Sequence, residues 1–388
     1  MDLLLLFRSI VLPKIGHFPD ASRPHACART RSILSYDGSP IEYCWKWNEF
    51  ANDNPEIRFC IEPAGNGLCA DGIPGGKLRA TDGILAELVQ RLPTVDLERY
   101  DHFRNSLRLS DWRDDSLHRD VHPGQGQIPR MSLAFEFTRK GTFTKVYFTP
   151  PGNPDNVPSF DTFVEAVRPI CYHNTAGLDK FTTYLSCDTV GATLRPLVLA
   201  IDCVSPQKSR TKFYTETTMT TFTSVINVMT LGGQIPLTQS STHELWALFR
   251  AVLGLDDKFS QDEQLPVQNP FQPSRAHPVD YYNGLLYYVN LTPQGQIPDV
   301  KLYLPVIRYG RSDADITRGL QQFMISRRRG QYVDGFQRAI ETISQRQKAG
   351  NSHRIQTYIA CAFDKSGSLS LTSYLNPGVY TSLEIADI

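Results

Sequence analysis

Arg210-Thr211-Lys212-Phe213-Tyr214 reads as a β-strand carrying an unusual set of residues on one side. Successive side chains of a strand point to opposite faces, so Lys212 and Tyr214 share a face and Phe213 takes the other. The same order returns in Lys145-Val146-Tyr147 and in Lys301-Leu302-Tyr303. Val146, Phe213 and Leu302 suit packing beneath helices, which leaves each cation and its tyrosine on the opposite face. Two readings follow. Either that face is solvent and the cations are hydrated, or it lines an enclosed interior and the cations converge.

Around these stretches the chain cycles between paired strand-like runs and helical periodicity. The strand pairs are Ile41 to Trp47 with Ile57 to Glu62; Arg130 to Phe137 with Phe143 to Thr149; Thr193 to Cys203 with Arg210 to Thr215; Asn283 to Thr292 with Val300 to Pro305; and Ile355 to Phe363 with Ser368 to Leu375. Between them, apolar residues recur at helical spacing: Leu78, Leu85, Leu88 and Leu92; Phe160, Phe163, Val164 and Val167; Phe222, Val225, Ile226 and Met229; Leu245, Leu248, Phe249 and Val252; Ile316, Leu320 and Phe323; Val333, Phe336, Ile340 and Ile343. The pattern predicts an α+β fold, a ten-stranded antiparallel β-barrel of repeated ββαα units with helices outside. Closure removes the two edges an open sheet would leave. No linker divides residues 1–388, so one barrel domain is expected.

Composition narrows the function classes. Apolar residues make up 41% of the 388, and 40 Lys and Arg balance 40 Asp and Glu, which fits neither a disordered chain nor a nucleic-acid binder. The eight Cys, at 27, 44, 60, 69, 171, 187, 203 and 361, form no Cys-x-x-Cys pair, and the nine His show no metal-ligand spacing. Reduced thiols in a cytoplasmic protein are expected. Met1 to Leu6 is only faintly signal-like, and no run reaches membrane-spanning length. The sequon Asn290-Leu291-Thr292 falls within an expected strand.

If the cations face inward, an empty core would be strongly destabilised, because buried Lys and Arg need anions. A multivalent anion such as a diphosphate resolves that conflict. Tyrosine faces beside it would stabilise a carbocation, by ~0.5–2 kcal/mol each, and exclude water. Glu62 ends its strand before Pro63. At a barrel mouth it could orient an acceptor N–H or O–H; otherwise it is a surface carboxylate or a partner of Arg58.

These residues resemble the fungal aromatic prenyltransferases of the dimethylallyltryptophan synthase type. The resemblance runs through Asp37-Gly38-Ser39-Pro40-Ile41-Glu42-Tyr43, Ile57-Arg58-Phe59-Cys60-Ile61-Glu62-Pro63, Lys145-Val146-Tyr147, Arg210-Thr211-Lys212-Phe213-Tyr214, Val300-Lys301-Leu302-Tyr303-Leu304-Pro305 and Thr372-Ser373-Tyr374-Leu375. It implies the ββαα barrel known as the PT barrel or ABBA fold. It also implies transfer of a dimethylallyl or longer prenyl group from its diphosphate to an indole-containing acceptor, by Friedel–Crafts-type alkylation in secondary (alkaloid) metabolism. A non-indole aromatic such as tyrosine, a xanthone or another phenol is the alternative, as is a catalytically inactive ligand-binding barrel. By resemblance, Arg79, Lys145, Arg210, Lys212 and Lys301 hold the diphosphate. Tyr147, Tyr214, Tyr303 and Tyr374 form the tyrosine shield, and Glu62 binds the acceptor N–H. No cofactor is implied and Mg²⁺ is not essential; the partners are dimethylallyl diphosphate and an aromatic acceptor, with no nucleic acid or membrane, in a monomer or homodimer.

Two departures from the family pattern stand out. Members that prenylate tryptophan at C4 carry a lysine before the Leu-Ala strand core, where this chain has Ser132 before Leu133-Ala134. The N-terminus also reads as short, so either a truncated start or a missing part of the acceptor-side wall is expected. Asp114-Asp115 and Asp256-Asp257 are followed by His118 and Ser260 where a metal-binding Asp-Asp-x-x-Asp would place its last Asp, and they read as solvated surface charge.

Overall fold

The computed structural model describes residues 3–15, 32, 34–35, 38–47, 55–63, 77–109, 130–138, 141–149, 159–171, 174–269, 284–346, 354–364 and 366–378. Among the described residues ten strands are present: β1 (Ile41–Trp47), β2 (Glu56–Ile61), β3 (Arg130–Thr138), β4 (Gly141–Thr149), β5 (Arg195–Asp202), β6 (Thr211–Thr217), β7 (Leu285–Leu291), β8 (Asp299–Leu304), β9 (Gln356–Phe363) and β10 (Leu369–Leu375). Each pairs antiparallel with its neighbours in sequence, and β1 closes the barrel against β10 through Tyr43↔Leu375 and Cys44↔Tyr374. Apart from shifts of a few residues at strand ends, these are the five hairpins that the sequence pattern predicts.

Four helix pairs follow the first four hairpins: α1 (Lys77–Arg91) and α2 (Glu98–Ser106), α3 (Phe160–Val167) and α4 (Ala176–Cys187), α5 (Phe222–Met229) and α6 (Gln239–Leu253), and α7 (Asp313–Ser326) and α8 (Val333–Arg346). Single helical turns occur at Leu3–Leu6 and Val306–Tyr309. Side-chain caps start several helices. Ser159, Thr221, Thr238 and Ser312 accept hydrogen bonds from the backbone N–H groups of Thr162, Ser224, Ser241 and Asp315. Gly254, at φ 63°, ends α6 in the left-handed region.

Helices α2 and α4 were not marked by the apolar periodicity. In α2 only Tyr100 and Phe103 are buried within a run of charged residues. In α4 the buried Leu178, Phe181 and Tyr184 do follow a three-residue spacing, so a signal was present.

Two apolar regions share the strands. Outward residues such as Leu133, Phe135, Val146, Phe148, Phe213 and Leu302 are fully covered and form one core with the helices. The Phe213 ring lies 5.3 Å from Phe181 and 6.3 Å from Phe163. A second, inner cluster contains Ala200, Tyr214, Tyr303, Tyr358 and Ala360. The small Ala side chains leave room between the inner tyrosines.

No helix among the described residues is long and apolar enough to cross a membrane. Asn290 of the sequon is buried in β7 and donates to Asp299. Asp257 is exposed and pairs with Arg250, in keeping with a surface reading; Asp114, Asp115, Cys27 and Cys69 lie outside the described residues. The other six Cys are free thiols.

Candidate active site

The barrel encloses a chamber of about 1050 Å³. Its lining includes Lys145, Arg210, Lys212, Lys301, Tyr147, Tyr214, Tyr303 and Tyr374, all expected from the sequence. Lys145, Lys212 and Lys301 are 9%, 3% and 8% exposed, which excludes hydrated cations on an outer wall.

The strands set the cations and tyrosines in layers. On each even-numbered strand, two neighbouring inward positions carry Arg58 and Cys60, Lys145 and Tyr147, Lys212 and Tyr214, Lys301 and Tyr303, or Thr372 and Tyr374. Two residues along a strand span ~7 Å, so a basic layer lies beside an aromatic one. Arg58 belongs to the basic layer although the sequence reading considered it only as a partner for Glu62. Its position matches that of the lysines, with Cys60 where the others have tyrosine.

Carboxylates hold most of the cations in place. Glu136 Oε1 lies 2.5 Å from Arg58 Nη1 and 2.6 Å from Lys145 Nζ. Asp202 bridges Arg210 Nε at 2.5 Å and Lys212 Nζ at 2.8 Å. Glu56 pairs with Arg58 and Lys46. Lys301 has a neutral partner instead, Thr372 Oγ1 at 3.2 Å, and stands 5.5 Å from the centre of the Tyr303 ring. Among these groups the cations exceed the carboxylates by three when every lysine is protonated.

This arrangement shifts the titrations. Burial works to raise the Glu136 carboxyl, but Lys145 and Arg58 outweigh it and hold it at about 2. Asp202 is likewise held well below the usual carboxylate range, against its burial, by Lys212 and Arg210. Burial pushes Lys212 down to about 7 despite Asp202. Lys301 also falls to about 7, through burial and the nearby positive charge of Arg58.

Tyr303 sits at the centre of the aromatic layer. Its ring centroid is 5.8 Å from Tyr214, 5.4 Å from Tyr374, 6.0 Å from Tyr288 and 6.0 Å from Tyr358. Tyr147 joins through Tyr214 at 5.6 Å. The Tyr303 hydroxyl is 3.2 Å from that of Tyr214 and 3.4 Å from that of Tyr374. Burial raises the phenols of Tyr147, Tyr214, Tyr303 and Tyr374, and that of Tyr288 to about 12, so these five remain neutral. Tyr288 and Tyr358 were missed because they come from the first strands of their hairpins. For Tyr287-Tyr288, only the register with Tyr214 decides which ring points inward.

Two expected site residues, Arg79 and Glu62, are not among the residues that line the chamber. Helix α1 packs through the buried Ile84, Leu85 and Leu88, which leaves Arg79 exposed. Glu62 follows β2 and is 1% exposed, so it is not a surface carboxylate; it accepts a hydrogen bond from Ser32 Oγ. Ser132 does line the chamber. No group of three His, Cys, Asp or Glu side chains among the described residues is arranged to hold a metal ion.

A family model described as tryptophan dimethylallyltransferase matches residues 1–339. The chain belongs to this family. Among its relatives, a DMATS-type prenyltransferase, fscG, of Fusarium equiseti is 38% identical over 381 residues, covering 98% of this chain and 86% of that protein. Xanthone prenyltransferase B of Emericella nidulans is 31% identical, over 91% of this chain and 77% of its own. The crystal structure of NotF in complex with brevianamide F and DMSPP superposes with a TM-score of 0.71 at 19% identity, covering 96% of this chain and 87% of that one, a likeness of fold. The chain is thus an aromatic prenyltransferase with a PT barrel.

Proposed function

We propose that this prenyltransferase moves a dimethylallyl group from dimethylallyl diphosphate onto an indole-containing acceptor within the barrel. The observation that carries this reading is the basic layer lying beside the aromatic layer in one enclosed chamber. Arg58, Lys145, Arg210, Lys212 and Lys301 bind the diphosphate. As the allylic C–O bond breaks, its electron pair passes to the leaving oxygen, and the cations stabilise the charge that develops there. The allyl cation lies against Tyr147, Tyr214, Tyr303 and Tyr374, with Tyr288 and Tyr358 completing the wall. The electron-rich ring attacks it, and the resulting arenium ion gives up its ring proton to the departed diphosphate, which restores aromaticity. The side chains supply this chemistry without a metal ion, so Mg²⁺ is dispensable.

A phenolic acceptor is the second reading. It is favoured by the relationship to a xanthone prenyltransferase and by Ser132, which supplies no base where the C4-prenylating members have lysine. The test is incubation with dimethylallyl diphosphate in EDTA and a panel of tryptophan, an indole dipeptide, tyrosine and a hydroxyxanthone, with products identified by mass spectrometry. A prenylated indole supports the first reading and a prenylated phenol alone the second. No product from any acceptor overturns both.

A further inference from the structure

Five even-numbered strands contribute to the aromatic layer, and four of them fill their place with Tyr147, Tyr214, Tyr303 or Tyr374. The fifth, β2, has Cys60 there. The residues beside it carry no ring either. Register sets Cys60 opposite Ala134 of β3 and opposite Glu42 of β1. Ser132 stands two residues beyond Ala134, opposite Tyr147, and Cys44 faces Tyr374. All of these line the chamber. The layer is therefore open over β1 to β3 and walled by phenols over most of the remaining strands.

This recess is one tyrosine ring deep. Its width is two strand intervals, ~10 Å, enough for two or three fused rings. Polarity argues for what fills it. Across the barrel, Val198 lies opposite Tyr214 and Leu286 opposite Tyr303, and both line the chamber with Leu197. Those apolar groups suit the hydrocarbon chain of the donor. The recess is bordered instead by the Ser132 hydroxyl, the Glu42 carboxyl and two thiols. A prenyl chain there would cover polar groups without offering them a hydrogen bond, whereas a ring system bearing heteroatoms can offer one.

We propose that Cys60 is a specificity-determining residue, whose short side chain leaves open a recess for the further rings of a fused-ring acceptor and so favours such acceptors over single-ring ones. The proposal rests on the prenyl-transfer reading. The acceptor's own π face takes the place that a fifth tyrosine would fill and completes the wall around the allyl cation. A single-ring acceptor such as tyrosine leaves the recess to water, which competes for the cation. Cys60 acts through its volume. Burial pushes its thiol well above the ordinary range, so it stays a neutral group that sets the space beside it.

The experiment measures kcat/KM with dimethylallyl diphosphate for tryptophan, a hydroxyxanthone and tyrosine in the wild type, Cys60→Phe, Cys60→Ser and Ser132→Leu. In the wild type the better fused-ring acceptor should exceed tyrosine by about tenfold or more. Cys60→Phe fills the recess and should lower kcat/KM for that acceptor by about tenfold or more, and its ratio to tyrosine with it. Cys60→Ser leaves the recess open and should keep the fused-ring preference. A wild type that prenylates tyrosine as well as the fused rings overturns the assignment and leaves prenyl transfer standing. So does a Cys60→Phe variant that binds inorganic pyrophosphate normally in calorimetry yet keeps the wild-type ratio. A wild type without product from any acceptor removes the functional reading itself. Should Cys60→Phe no longer bind pyrophosphate, Ser132→Leu narrows the same recess from β3. A lowered ratio in that variant supports the assignment, and an unchanged one overturns it.

Discussion

Replacing Asp202 with Asn tests whether the lumen carboxylates act as resident counter-ions that the diphosphate later replaces. Asp202 lies 2.5 Å from Arg210 and 2.8 Å from Lys212, with its side chain 10% exposed. Removing one partner of a buried ion pair costs ~3–5 kcal/mol. Lys212 can escape part of that by releasing its proton, since burial already brings it to about 7. We therefore expect the ligand-free variant to lose ~2–3 kcal/mol of stability. Binding of the diphosphate should move the other way. A carboxylate ~6 Å from one anionic charge repels it by ~3 kcal/mol at an effective dielectric constant of ~20. Each pKa unit lost by Lys212 returns ~1.4 kcal/mol of that gain, because the lysine must be reprotonated. The net expectation is about tenfold tighter pyrophosphate binding at neutral pH and low salt, increasing as pH falls. Calorimetry and thermal melts with and without pyrophosphate measure both effects. Weaker binding with an unchanged melting temperature would refute the counter-ion argument.

Four further outcomes follow from the geometry. Because Lys212 and Lys301 titrate near 7 in the empty chamber, pyrophosphate binding at pH 8 should take up protons; calorimetry in buffers of different ionisation enthalpy measures this, and zero uptake contradicts it. Glu42 is raised from 4.5 to about 8, so in that window the folded state holds the extra proton and stability falls as pH rises; Glu42→Gln should flatten this part of the pH–stability curve in chemical denaturation. Tyr303→Leu should lower transfer by ~2–30-fold and increase the share of donor lost as dimethylallyl alcohol, whereas Tyr303→Phe keeps the ring face and should do little; chromatography of both products checks it. A Cβ at Gly319 on α7 would overlap the Ala251 carbonyl of α6, so Gly319→Ala should destabilise by ~1–3 kcal/mol in denaturant titration.

Much of the fold was legible because the barrel is written in a short repeat. Lys145-Val146-Tyr147, Lys212-Phe213-Tyr214 and Lys301-Leu302-Tyr303 state which face each strand buries, and parity alone brings their lysines together. What escaped depended on partners rather than on pattern. Arg58 was overlooked because Cys60 stands where its counterparts have tyrosine. The inward turn of Tyr288 was undecided until β7 was registered against β6. Asp202 and Glu136 belong to strands whose cationic partners lie on other strands. Arg79 and Glu62 were expected by resemblance; α1 turns its apolar stripe to the core and leaves Arg79 exposed, and the buried Glu62 accepts a hydrogen bond from Ser32.

The pairing of β1 with β10 joins residue 43 to residue 375. More than three hundred residues are synthesised between those two segments, so the seam forms after the other strand pairs can have formed. Such distant pairings slow folding, because the intervening chain must be ordered first. Until the final strand emerges, the cations collected along β2, β4, β6 and β8 border an open trough wetted by solvent. The reactive compartment is thus assembled only after β10 has been synthesised.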